Sequence, residues 1–108
     1  MKTEIKQQEG MTLITVQGEL DTDTCIEFQQ ETAPVAEVPG AKVELDLSAL
    51  DYISSKALRI IISLEQRVAE HGGSLTITAV SAPVREIFDM TGLSQTMLAD
   101  CKNKTTKE

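Results

Sequence analysis

The chain has 108 residues, which is one domain with no room for a second. Seventeen Asp and Glu against ten Lys and Arg leave a formal charge of −7, a field that excludes general binding to DNA, RNA or anionic lipid. One Tyr, two Phe and no Trp leave no aromatic platform on which bases could stack, while 41% hydrophobic and 25% charged residues are the make-up of an ordinary globular domain.

The opening MKTEIKQQ lacks the apolar stretch of an export signal, and no apolar run approaches the ~20 residues of a membrane span. The longest candidate, Leu58–Leu64, contains Arg59 and Ser63. Cys25 and Cys101 stand far apart without CxxC spacing, so two reduced thiols and a cytoplasmic location are expected.

Thr3–Gln8 and Met11–Gln17 flank Glu9-Gly10, and the second alternates Leu13, Thr15 and Gln17 against Ile14 and Val16, which predicts a hairpin. Gly18-Glu19-Leu20-Asp21 is expected to turn the chain. Thr22, Asp23 or Thr24 can then cap a helix through Cys25, Ile26 and Phe28 that Pro34 limits. Ala33–Ala41, with Pro34, Pro39 and Gly40, reads as a loop, and KVELDL over Lys42–Leu47 as a central strand.

The most regular stretch runs from Ser55 to His71. Ala57, Ile60, Ile61, Leu64 and Val68 share one helical stripe, and Leu58 and Ile62 widen it. Gly72-Gly73 stops this helix, one of the two suiting the left-handed position after its end. Ser74–Ala79 alternates as a strand, and Ala82-Pro83 opens a helix over Val84–Met90 that ends before Gly92. Leu93–Leu98 is ambiguous, and residues 101–108 form a polar tail. The order strand, helix, strand over residues 42–79 is a parallel βαβ unit. The fold class is therefore α/β, a small mixed sheet with helices mainly on one side, spanning residues 1–100.

Catalytic constellations are thin. His71 is the one histidine, it sits at a helix end, and no GxSxG elbow accompanies it. Metal ligands reduce to carboxylates without EF-hand spacing, and neither GxGxxG nor a Walker loop is present. No enzyme activity, metal or cofactor is expected. Asp21 and Asp23 follow one strand, and Asp46 and Asp51 lie at the end of another and in the loop after it. They share a sheet edge if those strands are neighbours, though turn formation and capping are the ordinary use of such residues.

Ser54 and Ser55 stand where the long helix begins. Either hydroxyl can cap it, for about 1 kcal/mol. Either can instead be a switch, because a phosphate there lies on the positive end of the helix dipole near Lys56 and Arg59. Such a phosphate adds about −1.5 to −2 charges to a surface that already carries Asp21, Asp23 and Asp51.

At these residues the chain resembles the STAS domains of anti-sigma factor antagonists. Gly18-Glu19-Leu20-Asp21, then Val43–Leu47 with Ser48-Ala49-Leu50-Asp51-Tyr52-Ile53-Ser54-Ser55, then Lys56-Ala57-Leu58-Arg59-Ile60-Ile61 carry the likeness. Ser74–Ala79, Val84–Phe88 and Thr91-Gly92-Leu93 agree with the family's closing half.

The resemblance implies a partner-switching regulator. In that family the unphosphorylated antagonist binds an anti-sigma factor that is also a serine kinase. Phosphorylation at the helix start ends the association, and a serine phosphatase resets it. Alignment on Leu58 puts the acceptor at Ser55, with Ser54 the second choice, and sets Asp21 beside it. The implied docking surface is Asp21, Asp23, Ser54, Lys56, Leu58, Arg59 and Ile62, with neither nucleic acid nor membrane as partner. Leu58 and Ile62, at the margin of the stripe, are either partly exposed docking residues or core. Two departures from the family pattern are Lys56 and Ala57, the latter in place of glycine. The alternatives are a non-switching STAS scaffold or ligand-sensing subunit of a larger signalling or transport complex, and a small phosphohydrolase built on Asp21 and Asp51.

Overall fold

Glu9 (φ 47°) and Gly10 (φ 82°) reverse the chain between β1 (Lys2–Gln8) and β2 (Met11–Leu20) in the computed structural model, which describes Lys2 to Thr91. Gln8 pairs with Met11, so the loop has two residues, both with the positive φ that such hairpins favour.

β2 runs three residues beyond its expected end at Gln17. Gly18, at φ 94°, lies between two register shifts and lets the strand continue to Leu20, so the chain turns only at Asp21. The next element, α1 (Thr24–Ala36), buries Cys25, Phe28, Thr32, Val35 and Ala36 at helical spacing. Pro34 does not limit it. The proline falls in the last turn, where it removes a single bond, to the carbonyl of exposed Gln30, while Val35 and Ala36 hold the end in the core. The expected loop 33–41 thus shrinks to residues 37–41.

β3 (Lys42–Ile53) is six residues longer than KVELDL and buries Val43, Leu45, Leu47, Leu50 and Ile53. Its extension is held by β2, with Gln17 opposite Ala49 and Leu20 opposite Ile53. Asp46 and Asp51, expected at the strand's end and in a loop, therefore both lie inside β3. α2 (Ser55–Glu70) follows and ends on His71, with Gly72 in the left-handed position at φ 82°. β4 (Ser74–Val80) and α3 (Ala82–Thr91) complete the described chain. Gly92, Leu93–Leu98, Cys101 and the polar tail lie outside the described residues.

The sheet order is β1-β2-β3-β4, with β1 antiparallel to β2 and the remaining pairs parallel. This is the expected mixed α/β sheet. The βαβ unit over 42–79 is present, and β2–α1–β3 forms a second one not foreseen from the strand pattern. One core joins the three helices to a single sheet face, with Phe28, Phe88, Ile14, Leu45 and Ile61 fully buried. Because β2, β3 and β4 are parallel, their carboxyl ends lie along one edge, where α/β sheets place their functional loops.

Candidate functional site

The turns after β2 and β3 are tied by one bond: the Ser54 N–H donates to the Leu20 carbonyl at 2.9 Å. This fixes the start of α2 against the turn at Asp21. Ser54 is the N-cap. Its backbone is extended (φ −85°, ψ 165°), its hydroxyl accepts from the Ala57 N–H at 3.1 Å, and its carbonyl accepts from Leu58 at 2.9 Å. Ser54 is buried, and its N–H, hydroxyl and carbonyl are all engaged. Ser55 is the first helical residue and exposed. The two serines thus divide the roles that spacing leaves open, Ser54 as cap and Ser55 as an accessible hydroxyl beside the unpaired first N–H groups of α2.

Ser54→Ala is accordingly expected to cost about 1 kcal/mol. Thermal denaturation should show a midpoint roughly 4–8 °C lower. Ser55→Ala should leave the midpoint within the spread of exposed substitutions, about ±0.5 kcal/mol.

Asp21 organises the other turn. Its Oδ1 accepts from the Thr24 N–H at 2.8 Å and the Asp23 N–H at 2.9 Å, and its own N–H donates to the Thr24 hydroxyl at 2.9 Å. Asp23 occupies the N-cap position of α1, yet its side chain makes no capping bond, so Asp21 does that work from two residues upstream. The bonds from Thr24, its backbone N–H first and its hydroxyl second, hold the Asp21 carboxyl below the ordinary value of 3.8, with the Asp23 N–H adding to them.

A carboxyl lowered in the native state contributes stability above its unfolded value, and that contribution is lost as pH falls through the native value. Asp21→Asn should therefore flatten the acid limb of the stability curve below pH 3.8. Chemical denaturation across that range would check this, a wild-type slope in the variant counting against the assignment.

Lys56 and Arg59 are exposed on α2, Asp23 is exposed, and Ile62 is half-buried against the core. Of the two readings of Leu58, docking residue or core, the structure takes the core, so its place in the docking set does not hold. The side chain is 4% exposed and part of the core, because the inward face of α2 is wide enough to take Ala57, Leu58 and Ile61 together. Ala57 is fully buried as well, so the methyl that departs from the family pattern points away from any partner.

Asp46 is taken up locally, its Oδ1 accepting from the Ser48 N–H at 2.9 Å and hydroxyl at 2.7 Å, whereas Asp51 is exposed on β3. His71 is exposed at the end of α2 with Nδ1 2.8 Å from the Arg67 carbonyl. Among the described residues no three His, Cys, Asp or Glu are grouped to hold a metal, and no helix is long and apolar enough to cross a membrane. Tyr52 was not among the expected docking residues. It is exposed, and its ladder partner is Glu19. The strand predicted from the sequence ends at Leu47, so it offers no face on which to place Tyr52, whereas β3 runs on to Ile53.

The family model described as "Mlab, STAS domain" matches residues 3–99, and the chain belongs to the STAS domain family. The anti-sigma-B factor antagonist of Bacillus subtilis is 26% identical over 104 residues, covering 96% of this chain and 94% of that protein. The crystal structure of an anti-sigma factor antagonist from Mycobacterium paratuberculosis matches with a TM-score of 0.76 at 25% identity, over 97% of this chain and 86% of that one. SpoIIAA of Bacillus, an anti-sigma factor antagonist, shares the fold. Its unphosphorylated form gives a TM-score of 0.74 at 15% identity over 87% of this chain and 84% of that one, and its phosphorylated form 0.68 at 14% over 87% and 86%.

Proposed function

We propose that this STAS domain is an anti-sigma factor antagonist that acts by partner switching. The unphosphorylated chain binds an anti-sigma factor serine kinase in the cytoplasm, phosphorylation of Ser55 releases it, and a serine phosphatase restores the binding form. The protein acts by association and not by catalysis.

The observation that carries this reading is the division between the serines. Ser54 is buried and engaged as the cap, while Ser55 is exposed at the first position of a 16-residue helix. A phosphate on Ser55 gains from the helix dipole and leaves the cap intact, so the fold tolerates it. The partner does not. It must dehydrate a dianion where it previously packed on a neutral hydroxyl, beside Asp21 and Asp23. The relatives named as anti-sigma factor antagonists support the same role.

The test is to incubate the purified chain with labelled ATP and lysate of its native host, then locate the phosphate by mass spectrometry. Label confined to Ser55 and lost in Ser55→Ala is the expected result. Label on Ser54, or label that persists in Ser55→Ala, overturns the assignment.

A further inference from the structure

We infer that Tyr52 is the anchor of the docking surface, and that the partner receives its ring in an apolar pocket rimmed by cationic side chains. The inference rests on the antagonist reading above and names the chemistry of that partner's face.

Phe28 and Phe88 are fully buried, whereas Tyr52 is 46% exposed, so one of the chain's three aromatic side chains is presented to solvent. Its phenol makes no hydrogen bond among the described residues. The ring does not serve the fold in the way its neighbours do, since Leu50 and Ile53 on the same strand are the buried ones. It also lies close to the switch. Three residues of chain reach at most about 10 Å, while a standard interface covers about 800 Å² per partner and is about 30 Å across. A partner centred on Ser55 is therefore wide enough to reach Tyr52. Exposed tyrosines in such positions supply a large contact area at low entropic cost and are frequent hot spots.

The charges beside the ring identify what surrounds its pocket. Glu19 is its ladder partner and Asp51 its chain neighbour, and both are exposed. A partner seated on the ring must neutralise these two carboxylates, which calls for Lys or Arg at the rim. Over Ser55 the switch reading has the partner pack on an uncharged hydroxyl and place no cation there, so a phosphate finds no counter-charge on the partner. The cationic rim and release by phosphorylation are thus compatible.

Tyr52 is the sole tyrosine of the chain, so fluorotyrosine labelling gives a single fluorine resonance that reports this side chain. The probe is the purified anti-sigma factor of the native host, titrated into the labelled full-length chain. The resonance should shift or broaden on binding. Tyr52→Ala should lose affinity about tenfold or more with an unchanged circular dichroism spectrum, and Tyr52→Phe should keep most of it. Glu19→Lys should weaken binding and reduce its sensitivity to salt.

Wild-type affinity in Tyr52→Ala, or an unmoved resonance on binding, overturns the anchor. Unchanged binding and salt response in Glu19→Lys overturn the cationic rim. Ser55→Asp, run in parallel, separates the two readings: its normal binding beside a weakened Tyr52→Ala removes the switch and keeps the anchor. Failure of the wild-type chain to bind the anti-sigma factor removes both.

Discussion

Ser55→Asp is expected to lower affinity for the anti-sigma factor by about 100-fold, which corresponds to about 2.7 kcal/mol. Its thermal midpoint should stay within a few degrees of wild type, as for surface substitutions of about ±0.5 kcal/mol. The two outcomes separate because they depend on different neighbours. Within the fold, position 55 is the first residue of α2, where an acidic side chain interacts favourably with the helix dipole, and the cap belongs to Ser54. At the interface the same carboxylate enters a surface that already carries Asp21 and Asp23, and an unmatched buried charge there costs several kcal/mol. Phosphate carries about −1.5 to −2 charges and should act more strongly than Asp. Calorimetric titration of wild type, Ser55→Ala and Ser55→Asp is the measurement. Equal affinities for all three would remove Ser55 from the role of switch and favour a scaffold whose binding ignores that position.

The largest effect on stability away from the switch is expected at Gly73. A Cβ built there would lie 2.2 Å from the Ala41 carbonyl oxygen and 2.8 Å from the Ala41 nitrogen, both backbone atoms. Ala41 cannot move freely, because its carbonyl accepts from Ser74 at 2.8 Å and its N–H donates to Val38 at 3.3 Å. Gly73→Ala should therefore cost about 3 kcal/mol, the upper part of the range for overpacking. On the scale of small domains the midpoint falls by more than 10 °C. Gly72 is the control. Its nearest neighbour to an added Cβ is at 4.0 Å, but its φ is 82°, so Gly72→Ala carries only the backbone penalty of about 1–2 kcal/mol. Denaturation of both variants should place Gly73→Ala below Gly72→Ala. The reverse order would mean that the β3–β4 start yields more easily than its hydrogen bonds imply.

These two glycines show where local reading ends. Gly72-Gly73 is legible as a helix stop because one of the pair must take positive φ, and Gly72 does. That Gly73 is required for a different reason, the close approach of residue 41, follows from the pairing of Lys42 with Ser74, far apart in the chain, and has no local signature. Likewise the alternation of apolar residues predicts strand ends at Gln17 and Leu47. The bulges that carry β2 to Leu20 and β3 to Ile53 persist because each extension satisfies the other's backbone. Pro34 reads as a helix breaker, yet burial of Val35 and Ala36 outweighs the one hydrogen bond it removes.

The type and order of the elements and the likeness to the family are legible in the sequence, though several element ends are not. Apolar periodicity, glycine stops and the Gly-Glu-Leu-Asp and Ser-Ser-Lys-Ala-Leu segments are local properties of the chain, and they survive folding unchanged. Which residues of the site meet water follows from packing in the folded chain. Ser54 rather than Ser55 became the cap because its N–H reaches the Leu20 carbonyl of the neighbouring strand. Leu58 went into the core and Tyr52 stayed outside it. Exposure depends on what the sheet and the other helices cover, and that is set by contacts between segments distant along the chain.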